Sequence, residues 1–152
     1  MATRIDGKAL AAKVKAQVAE KAAKLPRQPG LAVVLVGEDP ASQVYVRGKE
    51  ADCGECGIRS FPYRLPTETT QRELLDLIEK LNRDPAVDGI LVQLPLPEPL
   101  EEAAVIAAIA PEKDVDCFHP YNVGRLNIGD PVFRPCTPAG VMEMLREYGI
   151  SP

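Results

Sequence analysis

A chain of 152 residues, 45% hydrophobic and 26% charged, is long enough for one domain with its own core and has an ordinary water-compatible composition. Its formal net charge of −4 carries no basic cluster, which argues against a nucleic-acid or membrane-surface partner. No apolar run approaches the roughly 20 residues of a membrane span, and the opening MATRIDGKAL lacks the apolar core of a secretory signal, so the expected compartment is the cytoplasm.

Residues 7–24 are alanine-rich, with Leu10, Val14 and Val18 at helical spacing between lysines, and predict an amphipathic helix that LPRQPG stops. LAVVLVG at 31–37 is continuously apolar and of strand length, the pattern of a parallel strand covered on both faces. After the loop EDPASQ, Ser42 is the expected N-cap of a helix that Gly57 ends. IRSFPYRL at 58–65 reads as a second strand. The stretch 67–84 reads as a helix opened by a Thr70–Glu73 capping box, with Leu74, Leu77, Ile78 and Leu81 on its apolar side. VDGILVQL at 87–94 is a third strand, EEAAVIAAI at 101–109 a helix, and 111–126 a loop. The segment 132–149 opens as a short strand or extended stretch, after which Thr137 caps a last helix with Pro138 at its first position. This alternation predicts an α/β fold, three-layer α/β/α with a small, mostly parallel sheet. Ligands on such sheets bind outside the carboxyl ends of the strands. The segments 37–49 and 93–99 lie there.

Within the second helix, Tyr45, Lys49, Cys53 and Cys56 are spaced to share one inward face, and Gly48 and Gly54 weaken the helix as if something approached it closely. A lysine on such a face either snorkels to solvent or is desolvated enough to work as a general base. Cys53 and Cys56 form a C-x-x-C, but His119 is the sole histidine and Cys117 and Cys136 stand far off. Buried thiols packing as small hydrophobes are the reading preferred over metal or redox chemistry, and no metal site is expected. Gln93 ends an apolar strand before a proline-rich turn, either as a simple strand stop or as a polar handle on a rigid wall. Asp114, Asp116 and His119 share the stretch PEKDVDCFHPYNVGRL. Its aspartates suit backbone capping or a two-bond contact to a flat N–H-rich heterocycle better than a metal.

YVRGK at 45–49, CGI at 56–58, DGILVQLPLP at 88–97, the 111–126 stretch and RPCTPAG at 134–140 follow one another in order and spacing. Together they resemble the bifunctional methylenetetrahydrofolate dehydrogenase/methenyltetrahydrofolate cyclohydrolase family, from about Ile5 to the end. The resemblance implies a folate-binding catalytic domain over 1–152, of the amino-acid-dehydrogenase-like N-terminal type. It implies Lys49 as the catalytic lysine, Tyr45 stacking on the folate ring, and Gln93 hydrogen-bonding the lysine. It implies Asp116 holding the pterin, Pro95 and Leu96 in the substrate-binding turn, and Thr137 and Gly140 on the nicotinamide side. Implied for the whole protein are NADP (or NAD) as cofactor, tetrahydrofolate derivatives as substrates, a homodimer, and 10-formyltetrahydrofolate supplied toward purine biosynthesis. Where the family has D-V-D-G-F, Cys117 stands in place of the glycine, so a positive φ there would strain it. No G-x-G-x-x-G follows a strand. The family's dinucleotide-binding half is therefore expected to be absent from this chain, which alone is expected to bind no cofactor and to lack dehydrogenase activity. Two other readings stand beside this one: a folate-binding module without catalysis, and the substrate domain of another two-domain dehydrogenase, such as one acting on shikimate.

Overall fold

The computed structural model describes residues 4–151; positions 1–3 and 152, the outer edges of the expected domain, lie outside the described residues. In chain order the elements are α1 (Gly7–Ala22), β1 (Gly30–Val36), α2 (Pro40–Glu55), β2 (Arg59–Leu65), α3 (Gln71–Arg83), β3 (Gly89–Val92), α4 (Glu102–Ala108), α5 (Pro120–Asn127) and α6 (Cys136–Glu147). A 3-10 turn at Pro111–Lys113 lies between α4 and α5.

The sheet has the order β2-β1-β3 and is parallel throughout, with Val33 of β1 opposite Pro62 on one side and Leu91 on the other. The most apolar run takes the centre, where both faces must be covered: Ala32 to Val36 are all buried. Proline fits β2 because that strand is an edge. Alternate residues of β1 then feed two cores. Ala32, Val34 and Val36 pack with Leu74, Ile78 and Leu81 of α3 and Val105 of α4. Val33 and Leu35 pack with Val46 of α2 and Leu91. Helices on both faces of one sheet make the three layers, as the alternation of the sequence predicts. The α3 capping box forms as expected, Thr70 and Glu73 each satisfying the other's backbone N–H. No helix among the described residues is long and apolar enough to cross a membrane.

Four local expectations change. The α2 N-cap is Asp39, whose carboxylate accepts the Ser42 N–H at 2.7 Å, while Ser42 is buried inside the helix. An ionised carboxylate is the stronger acceptor at a helix start, and Pro40 at the first position leaves the helix to begin there. Residues 111–126 are not all loop. α5 is only 8 residues long, too short for an apolar period to register, and it starts at Pro120 with His119 Nδ1 accepting the Tyr121 N–H at 3.1 Å. α6 begins at Cys136 with Pro135 as N-cap and no side-chain cap, so Thr137 sits within the first turn rather than capping it. Residues 132–135 form no strand.

Gly30, which opens β1, has no room for a side chain: a Cβ there would lie 2.0 Å from the Ala86 carbonyl oxygen and 2.8 Å from Phe61 Cε2. Because the Ala86 oxygen is backbone, relief requires moving the β3 approach. Gly30→Ala is expected to lower folding stability by about 3 kcal/mol, read from the urea midpoint; a change below about 1 kcal/mol would mean that the 84–88 turn yields freely.

Candidate functional site

The carboxyl ends of β1 and β3 carry the two segments that build the site. β1 leads through Gly37, at φ 82, into α2. β3 leads directly into Gln93, whose backbone N–H continues the ladder to the Val34 carbonyl at 2.8 Å. Gln93 Nε2 donates to the Leu94 carbonyl at 2.7 Å, which turns its Oε1 away, and Lys49 Nζ donates to that oxygen at 3.1 Å. Both partners are half-buried. The amide orientation is thus fixed by its own chain, and it fixes the lysine in turn.

Tyr45 lies one turn before Lys49 but, unlike it, does not face inward. The inward face of α2 runs through Ser42, Val46 and Cys53, and Tyr45, about 100° away from Val46, is 67% exposed. Lys49 falls on the border between that face and solvent, with Tyr45 one turn earlier toward the open side. Gly48 and Gly54 do not admit a neighbouring element: a Cβ at either would meet nothing within 4 Å.

The two aspartates of the 111–122 segment divide the roles that the sequence left open. Asp114 is buried and does the backbone capping. Its oxygens accept N–H groups from Phe118 at 3.2 Å and His119 at 2.9 Å, and the side-chain amide of Asn122 at 2.9 Å. Asp116 is half-buried and within electrostatic reach of Lys49. Desolvation pushes its pKa up, Lys49 pulls it back, and Asp114 pushes it up again, with a net rise. Cys117 adopts φ 59 and is buried, so the left-handed position is held by a cysteine with the loop intact.

The other expected residues are less central. Pro95, two residues after Gln93, is exposed, while the Leu96 side chain packs into the α3 core and its N–H is taken by Glu102 Oε1 at 2.9 Å. Thr137 and Gly140 are exposed on α6. Three thiols pack as expected: Cys53, Cys56 and Cys117 are buried, and Cys56 donates to the Lys15 carbonyl at 3.8 Å across the α1–α2 contact. Cys136 departs from that reading. It is exposed at the start of α6, and its thiol, raised by desolvation, feels both Asp116 and Lys49. Periodicity gave no signal for it, because α6 reaches the site from another part of the chain. Among the described residues no three His, Cys, Asp or Glu side chains gather to hold a metal.

Comparison with known proteins gives a family and a set of relatives. The profile of the tetrahydrofolate dehydrogenase/cyclohydrolase catalytic domain matches residues 5–116. The bifunctional protein FolD of Geotalea daltonii is 61% identical over 153 residues, covering 99% of this chain and 55% of that protein. The crystal structure of the Campylobacter jejuni bifunctional FolD, a methylenetetrahydrofolate dehydrogenase/cyclohydrolase, superimposes with a TM-score of 0.95 at 51% identity over 97% of this chain and 54% of that one. The Trypanosoma brucei enzyme, solved with NADP cofactor and inhibitor, gives 0.93 at 40% identity over 98% of this chain and 52% of that one. The chain therefore spans about half the length of the relatives it matches.

The raised pKa of Asp116 makes its charge a cost to folding. Where a carboxyl binds its proton more tightly folded than unfolded, stability falls as pH rises through that range and stays lower above it. Asp116→Asn is accordingly expected to raise the melting temperature at pH 7, the gain shrinking as pH falls through the raised pKa toward the ordinary carboxylate value of 3.8. Thermal unfolding of the two proteins between pH 4 and 7 checks this, and a loss of stability at pH 7 would contradict it.

Proposed function

The chain belongs to the tetrahydrofolate dehydrogenase/cyclohydrolase family, and from that premise we propose that it is the folate-binding catalytic domain of a bifunctional enzyme. The activity is oxidation of 5,10-methylenetetrahydrofolate to the methenyl form, followed by hydrolysis to 10-formyltetrahydrofolate. The observation that carries the proposal is the Lys49 Nζ to Gln93 Oε1 hydrogen bond at the carboxyl end of a parallel sheet, with Asp116 in electrostatic reach. Hydrolysis of a methenyl bridge needs an activated water and a proton for the departing ring nitrogen. An amine held by one glutamine oxygen has its remaining valences free to face the ligand, and in its neutral form can take the proton of water and return it. Asp116 presents two oxygens, which suit the adjacent amino and ring N–H groups of a pterin. Tyr45, exposed one turn from Lys49, offers a ring face to a flat ligand.

Oxidation requires a nicotinamide, and the exposed Thr137 and Gly140, beside Cys136 on α6, would border it. The β1–α2 turn does not suit its pyrophosphate. Glu38 and Asp39 stand there, and Asp39 already occupies the α2 N-terminus, its pKa lowered by the Ser42 backbone N–H. The dinucleotide is therefore proposed to be held elsewhere than at this turn, and the 152-residue chain alone to have no dehydrogenase activity.

In a protein that joins this domain to a dinucleotide-binding domain, Lys49→Met is expected to cut methenyltetrahydrofolate hydrolysis by about a thousandfold, roughly 4 kcal/mol of transition-state stabilisation, with folate affinity largely kept. Loss of methenyl absorbance measures it, and near-normal hydrolysis would remove the general-base assignment. Titration of residues 1–152 with NADP, followed by calorimetry, is expected to give no saturable heat. Saturable binding would place a phosphate site within this domain after all.

A further inference from the structure

The proposed function uses Asp116 but does not say what holds a half-buried carboxylate opposite Lys49. We infer that Asp114 is a positioning residue for reduced-folate recognition: its buried carboxylate clamps the 117–122 backbone and thereby aims Asp116 at the Lys49–Gln93 pair. The inference rests on the reading of Asp116 as a ligand contact.

The clamp is built from both ends. Asp114 forms a parallel bridge with Ile90, which puts it in register with β3, the strand that leads into Gln93. Its neighbour Val115 joins the Val33, Leu35, Val46 and Leu91 cluster, and lies so close to Gly89 that a Cβ there would come within 2.5 Å of Val115 Cγ1. On the far side the Asp114 side chain gathers the Phe118 and His119 N–H groups, and its carbonyl accepts the Cys117 N–H at 3.3 Å. Asn122, itself 1% exposed, donates to Asp114 Oδ2 at 2.9 Å and to the Pro111 carbonyl at 2.7 Å. Both of those partners are acceptors, which fixes the amide's orientation. Between the two anchors only Asp116 and Cys117 remain. Cys117 sits at φ 59, a conformation that a side-chain-bearing residue keeps only when its surroundings over-determine it.

A carboxylate is required at position 114 because all three side-chain partners are donors. An asparagine of the same shape would turn its NH2 against at least one of them, losing that bond and adding a repulsion. The fold as a whole does not hang on this clamp, since the two apolar cores are built on β1 with α2, α3 and α4.

The test is a double-mutant cycle on the 152-residue chain, with 5-formyltetrahydrofolate as a stable reduced-folate probe and affinity read by calorimetry. Asp114→Asn and Asp116→Ala are each expected to weaken binding by about tenfold or more. If Asp114 works through Asp116, adding Asp114→Asn to Asp116→Ala costs less than about twofold further. A folded Asp114→Asn protein with unchanged affinity, or two effects that multiply, would overturn the inference. Unchanged affinity in Asp116→Ala would instead remove the ligand contact itself, and the positioning role with it. Should Asp114→Asn fail to fold, Asn122→Ala removes one donor more gently. It is expected to weaken the probe about threefold in the wild-type background and not at all beside Asp116→Ala, and equal losses in both backgrounds would count against the clamp.

Discussion

The bond from the Gln93 N–H to the Val34 carbonyl is the constraint on which the site depends. It is the last rung of the β1–β3 ladder, so the position of Gln93 is set by the sheet rather than by a loop. β1 is the central strand, buried on both faces, and is the least free to move. The helix that carries Lys49 packs on that same strand through Val46. Lysine and glutamine are 44 residues apart in sequence, yet both refer to one strand. Their separation is therefore held by the core and not by their own side chains, which is what a polar pair needs if its geometry is to survive ligand exchange.

The second half of the site is tied to the first by β3. That strand leads into Gln93 at its end and, through the Ile90 bridge, fixes Asp114 at its side. The contrast between Asp114 and Asp116 is one of hydrogen bonding. Asp114 is the more deeply buried, but three donors replace its lost water. Asp116 is half-buried, appears in no such set of bonds, and has its pKa raised by desolvation. A half-buried carboxylate without such donors is costlier to ionise in the fold, which is why desolvation is the leading cause of its raised pKa. Cys136 adds a thiol to the same electrostatic neighbourhood from α6, the last helix of the chain.

Much of this was legible in the sequence. The continuous apolar run at 31–37 suited a covered parallel strand, and the capping box at Thr70 announced the start of α3. The motifs around Lys49, Gln93 and Asp116 carried the family resemblance, and the profile match and the structural relatives establish the family. What the pattern misread was local and short. A carboxylate at Asp39 displaced Ser42 as cap, and an eight-residue helix at Pro120 showed no period. Of the inward stripe expected on α2, Lys49, Cys53 and Cys56 turn in and only Tyr45 is exposed, its place taken by Val46, about 100° round the helix.

By itself, then, the sequence determined the layer order, the parallel sheet and the identity of the segments at its carboxyl end, because these follow from apolar period and from the residues at turns. Apart from the family resemblance, which singled out Asp116, its residue pattern could not decide which of two aspartates two residues apart caps the backbone and which stays in electrostatic reach of the lysine. That depends on which one meets the Phe118, His119 and Asn122 donors once Val115 is packed under the sheet. Nor could it decide that Cys136 lies near Lys49, since α6 is brought there by packing. Period and propensity act over a few residues, whereas burial and hydrogen-bond satisfaction are settled by groups far apart in the chain, and only the folded arrangement brings those together.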